Sequence, residues 1–142
     1  MVTPDIWLLD TNVISETAKP APDETVMSNL RLFADRLAIC SIVLHELKFG
    51  WLRMAEGKRK RRIGGFLANV VSQLRVLPYD ASAANIHADM RAKLESKGLS
   101  LPFADGQIAA IAIANAATLV TFNVKDFEKI EGLNVTDWKT RL

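Results

Sequence analysis

Several acidic and amide side chains stand out because each falls where an apolar run stops or a helix begins. The stretch IWLLDTNVISE carries an apolar run straight into Asp10, followed by Thr11 and Asn12. Glu46 comes just over one helical turn after the apolar stretch LAICS, and Asp105 stands inside LPFADGQIAAIA. Asn123 and Asp126 follow TLVTF. Singly, each has an ordinary reading. Asp10 serves as a turn or capping residue, Glu46 as a solvated helix position, Asp105 as a complement to a helix N-terminus, and Asp126 as a surface carboxylate. Brought together, the same carboxylates repel one another and hold their protons more tightly. A divalent cation relieves such a cluster, and hard oxygen donors with few nitrogen or sulfur candidates point to Mg²⁺, with Mn²⁺ as the alternative. A carboxylate-held ion activates water and stabilises a phosphodiester transition state, so the chemistry indicated is phosphodiester hydrolysis.

That convergence depends on the elements. Residues 6–10 are apolar without alternation and predict a short buried strand, as do LAICS (37–41), RVLPYD, TLVTF (118–122) and LNVTDW. TNVISETAK predicts a short helix stopped by Pro20 and Pro22. Asp23 caps a second helix through about Arg36, with Val26, Met27, Leu30 and Phe33 at helical spacing. Residues 42–54 predict a third, with Val43, Leu47, Trp51 and Met54 on one face. KRKRRIGGFLANVVSQL predicts another, weakened at Gly64-Gly65. Asp80 or Ser82 caps a helix bearing Ala83, Ile86, Met90 and Leu94 and ended by Gly98. Pro102 suits the first turn of the next, whose IAAIAIANAA is apolar all round and so predicts burial. VKDFEKIEG is a turn or short helix. Strands alternating with helices imply an α/β fold, a mostly parallel central sheet with helices on both faces. In such sheets reactive groups gather beyond the carboxyl ends of the strands.

The bulk properties suit one soluble domain over residues 1–142. The apolar share is 49% and the charged share 24%, and the net charge of +2 is too small to indicate nucleic acid unaided. Cys40 is the sole cysteine, so no internal disulfide is available. No apolar run approaches the roughly 20 residues of a membrane span, and no signal peptide is visible. The expected location is the cytoplasm, without membrane attachment.

The motifs LLDTNVISE, SIVLHELKFG, LPFADGQIAAIA and LVTFNVKDF, in that order and over nearly the whole chain, resemble those of PIN-domain ribonucleases. These are the toxins of bacterial VapBC-type toxin–antitoxin pairs. The resemblance implies a metal-dependent endoribonuclease with Asp10, Glu46 and Asp105 in an acidic pocket. Asp10 and Asp105 would be direct metal ligands, and Glu46 would serve a second metal or orient the attacking water. Some relatives carry an acid directly after the fourth strand, where this chain has Asn123. Asn123 would offer an amide oxygen to a metal-bound water, and Asp126 would replace that charge or cap the next turn. Thr11, Asn12 and Thr121 would hold the carboxylates, with helix capping as the other reading of Asn12. The resemblance further implies an antitoxin whose tail covers the pocket with an Arg, an RNA substrate and a homodimer.

Other features fit less specific roles. The run Lys58 to Arg62 reads as a solvated surface, as phosphate contacts to RNA for one or two members, or as a contact for an acidic partner. HELKF lacks the second histidine of the H-E-x-x-H zinc motif, so His45 and His87 read as packing or surface residues. Trp7, Trp51 and Trp138 read as core or interface residues. Two other functions compete. One is a non-catalytic module of the same fold that binds RNA or protein, against which Asp10, Glu46 and Asp105 argue. The other is a haloacid-dehalogenase-like phosphatase, which needs an acid where this chain has Asn12.

Overall fold

A computed structural model describes residues 5–139. Five short strands lie side by side, all parallel: β1 (Trp7–Leu9), β2 (Leu37–Cys40), β3 (Arg75–Leu77), β4 (Thr118–Val120) and β5 (Asn134–Thr136). Their order across the sheet is β3-β2-β1-β4-β5. The chain therefore moves outward from β1 to β3, crosses back, and continues outward from β4 on the other side. Right-handed crossovers place helices on opposite faces when the direction of travel reverses. The reversal lies between β1 and β4, the position where open parallel sheets open a crevice for ligands.

The connections are helical: α1 (Thr11–Thr17), α2 (Glu24–Leu32), α3 (Ser41–Leu52), α4 (Lys58–Asn69), α5 (Ala81–Ser96), α6 (Phe103–Ala114) and α7 (Val124–Phe127). The core gathers Leu8, Leu9, Ile39, Val43 and Leu119 with α6, whose Ile108 to Ala112 are all buried. The apolar circumference of α6 thus finds protein on every side. At the opposite end of β1, Trp7, Phe33 and Trp138 form an aromatic cluster with ring centroids 4.5–5.8 Å apart. Glu16, buried at the end of α1, accepts the Asp23 backbone N–H at 2.9 Å and the Lys19 ammonium at 3.0 Å, which fixes the turn into α2.

Several boundaries differ from the sequence expectations. The second helix stops at Leu32 rather than near Arg36, and a single 3₁₀ turn, Ala34–Arg36, leads into β2. Its C-cap Phe33 turns into the aromatic cluster instead of continuing the helical face. Helix α4 runs unbroken through Gly64-Gly65 and ends before Val71. Gly64 is required there by contact, since a Cβ would lie 2.9 Å from Trp51 Nε1. Asp80, not Ser82, caps α5 by accepting the Ala83 N–H at 3.0 Å. Pro102 occupies the N-cap of α6 rather than its first turn.

The central strand sets the stability scale. Leu8→Ala, fully buried in β1, is expected to cost about 2–5 kcal/mol. Leu32→Ala, 68% exposed on α2, should stay within about 0.5 kcal/mol of the parent. Urea denaturation of the two variants checks the contrast.

Candidate active site

Asp10 ends β1 and caps α1. Its Oδ1 accepts the Thr11 N–H at 2.8 Å and its Oδ2 accepts the Thr121 hydroxyl at 2.8 Å. The Asp10 backbone N–H donates to the Val120 carbonyl at 2.9 Å, extending the β1–β4 ladder to the carboxylate itself. The capping role and the site position are therefore the same placement. Thr121 is fully buried, and Asp10 is 7% exposed.

Glu46 lies on the second turn of α3, where Thr11 Oγ1 donates to its Oε2 at 3.0 Å. Asn12 does not cap its own helix. Its Oδ1 accepts the Phe122 N–H at 3.2 Å, and its Nδ2 donates to Thr121 Oγ1 at 3.4 Å. Thr121 Oγ1 also accepts the Asn123 N–H at 3.1 Å. Thr11, Asn12 and Thr121 thus form one hydrogen-bonded frame linking the ends of β1 and β4 to α3. The Asn123 side chain is outside this frame and makes no capping bond to α7.

Asp105 stands in the first turn of α6. Burial pushes its carboxyl above the ordinary range, and the charges of Asp10, Asp126 and Glu46 push it further. Asp10, Glu46 and Asp126 therefore sit within electrostatic reach of Asp105. None of the four has a Lys or Arg at ion-pair distance among the described residues. They stop short of a closed cage: no three His, Cys, Asp or Glu among the described residues stand at metal-chelating closeness. Cys40, at the N-cap of α3, is raised to about 11 by burial and then by Asp10 and Glu46, so it stays a thiol.

The basic run divides on α4. Lys60 is spent locally, bonded to Glu56 at 2.8 Å and to the Leu52 carbonyl at 3.3 Å. Arg62 donates to the Ala18 carbonyl at 3.0 Å. Arg59 and Arg62 line a groove of about 440 Å³ together with Trp51, Phe66, Thr11 and Glu46. Trp51 is anchored by its Nε1 donating to the Lys60 carbonyl at 2.8 Å. This groove carried no signal in the sequence, because α1, α3 and α4 meet only in three dimensions. His45 stacks on Phe49 at the surface, 6.0 Å between centroids.

Residues 7–133 match the PIN domain family. This chain belongs to the PIN-domain family. It is 36% identical over 135 residues to "Ribonuclease VapC2" of Rickettsia felis, covering 94% of this chain and 98% of that protein. It is 35% identical to "Toxin FitB" of Neisseria gonorrhoeae, covering 84% and 89%. Its fold is similar to the crystal structure of VapBC2 from Rickettsia felis bound to a DNA fragment from their promoter, with a TM-score of 0.81, 34% identity, and coverage of 92% of this chain and 97% of that one. No helix among the described residues is long and apolar enough to cross a membrane.

The raised Asp105 carboxyl makes a signed prediction. A proton bound more tightly in the native state stabilises below the ordinary carboxylate range, and that stability is lost as pH rises through the raised native value. Asp105→Asn should therefore raise the melting temperature of metal-free protein at pH 7, with the gain vanishing at acid pH. Paired calorimetric melts at both pH values test the sign.

Proposed function

We propose that this PIN domain is a metal-dependent endoribonuclease acting as the toxin of a toxin–antitoxin pair. The observation that carries the reading is the set of carboxylates, Asp10, Glu46, Asp105 and Asp126, gathered at the β1–β4 crevice with no cationic side chain among the described residues to balance them. The ribonuclease and toxin names of its relatives support the same reading.

The donor set suits a hard divalent cation, Mg²⁺ or Mn²⁺. Mg²⁺ keeps several waters and takes one or two carboxylates rather than a protein cage. Asp10 and Asp105 would hold the ion. When bound, it would supply an activated water and charge stabilisation at the phosphodiester. The remaining residues position and exclude. Thr121 and the Thr11 backbone fix both oxygens of Asp10, so its carboxylate cannot rotate away. Thr11 holds Glu46 through Oε2, leaving Oε1 to orient the attacking water. Asp126 supplies the fourth acid in place of Asn123. Arg59 and Arg62, both exposed and lining the adjoining groove, contact RNA phosphates.

A protein partner would silence the site by laying an apolar segment along that groove and presenting an Arg to the carboxylates. The likeness to VapBC2 of Rickettsia felis, solved on a fragment of promoter DNA, supports a partner of this kind. A second copy of the chain would meet the exposed apolar side of α3, where Leu44, Phe49 and Leu52 lie.

Purified protein is expected to cleave structured RNAs with Mg²⁺ or Mn²⁺ and to stop with a chelator. Asp10→Asn and Asp105→Asn should abolish cleavage while retaining the fold by circular dichroism. Thr121→Val should lower kcat by roughly 10- to 100-fold, the usual cost of losing a group that orients a ligand. Cleavage that persists in both Asn variants would refute the assignment.

A further inference from the structure

Asp105 differs from its neighbours in how it is held. Asp10 and Glu46 accept hydrogen bonds, whereas among the described residues no donor reaches the Asp105 carboxylate. Pro102 gives α6 no side-chain cap. The location of Asp105 therefore depends on where the first turn of α6 rests.

That turn rests on His87. The imidazole is 5% exposed, on α5. A Cβ built on Gly106 would lie 2.4 Å from His87 Nε2 and 2.9 Å from Cδ2, so the α6 backbone abuts the ring edge. Phe103 packs on the same ring, 4.8 Å between centroids, with the Arg91 guanidinium 5.5 Å above the Phe103 ring. The ring is locked in turn: Tyr79 Oη and His87 Nδ1 share a hydrogen bond of 2.8 Å, and the Tyr79 N–H donates to Ser41 Oγ at 3.3 Å. Ser41 begins α3, the helix that carries Glu46. A continuous chain of contacts thus runs from the start of one acid-bearing helix to the start of the other. Burial lowers the affinity of His87 for a proton, and Arg91 lowers it further, which keeps the seat neutral.

We infer that His87 is the positioning residue for Asp105: its imidazole fills the space that Gly106 leaves open and thereby sets the α6 N-terminus in register with Asp10 and Glu46. The inference rests on the nuclease reading for its consequence, though not for the seat itself. A histidine and a glycine nineteen positions apart act as knob and hole.

The experiment uses the full chain as parent, His87→Ala, Gly106→Ala and the double variant. The first readout is amide hydrogen exchange in metal-free protein at Gly106, with Ala110 in the same helix as reference. The second is kcat and KM for RNA cleavage. Each single variant should speed Gly106 exchange relative to Ala110 and lower kcat by about tenfold or more, as a small misplacement of a reacting group does, with KM unchanged. The double variant should recover much of the loss, because the new methyl occupies the vacated ring position. Tyr79→Phe, which removes only the hydroxyl at Nδ1, gives a milder version of the same pattern if His87→Ala does not fold. Unchanged Gly106 exchange and kcat in His87→Ala, or double-variant losses that merely add, would overturn the inference. A parent that cleaves no RNA would overturn the nuclease reading, while the exchange comparison still decides whether His87 seats α6.

Discussion

Asp10 is gripped by two donors from opposite sides of the chain, the Thr11 backbone and the Thr121 hydroxyl. Most of the site follows from that grip. Thr121 comes one residue after β4, and β4 lies beside β1 only because the chain crosses back over the sheet after β3. Asn12 and the Asn123 backbone bond to the same threonine oxygen. The hydroxyl is thus a junction among β1, α1 and the loop into α7, and it is fully buried. A buried junction of this kind is costly to leave partly satisfied, which ties the local fold to the position of one carboxylate.

The second constraint is electrostatic. Burial and the charges of Asp10, Asp126 and Glu46 all oppose ionisation of Asp105. The N-terminus of α6 favours that charge, by an interaction of roughly 0.3–1 kcal/mol at exposed sites, yet the balance is against it. The fold therefore maintains an unfavourable arrangement in the free protein. Carboxyls perturbed in this way cluster at functional sites, and the most apolar helix among the described residues carries this one in its first turn.

Much of the architecture was legible in the sequence because β-runs and helices alternate and because each acid follows an apolar run. IWLLD, LAICS and TLVTF mark the three strands that meet at the site, and the apolar run IAAIAIANAA is buried from Ile108 to Ala112, though Ile113 to Asn115 are half-buried and Ala116 is exposed. Boundaries were less legible where tertiary contacts override local preference. Phe33 leaves the helical pattern to join Trp7 and Trp138, and Gly64 is tolerated inside α4 because the Trp51 ring leaves no room for a Cβ. Asn12 could be read as a cap or as a frame residue, and its bonds to Phe122 and Thr121 separate the two. The groove beside Glu46 and the seating of Gly106 on His87 join residues distant in sequence. No periodicity records such pairings.

The proposed function requires the carboxylates at the β1–β4 crevice to form one site for a divalent cation. Anomalous diffraction from crystals equilibrated with Mn²⁺ tests this most directly. A single strong anomalous peak contacting Asp10 and Asp105, absent in Asp105→Asn, is the predicted result. A peak elsewhere, or none at these carboxylates while Mn²⁺ occupies other surface acids, would contradict it.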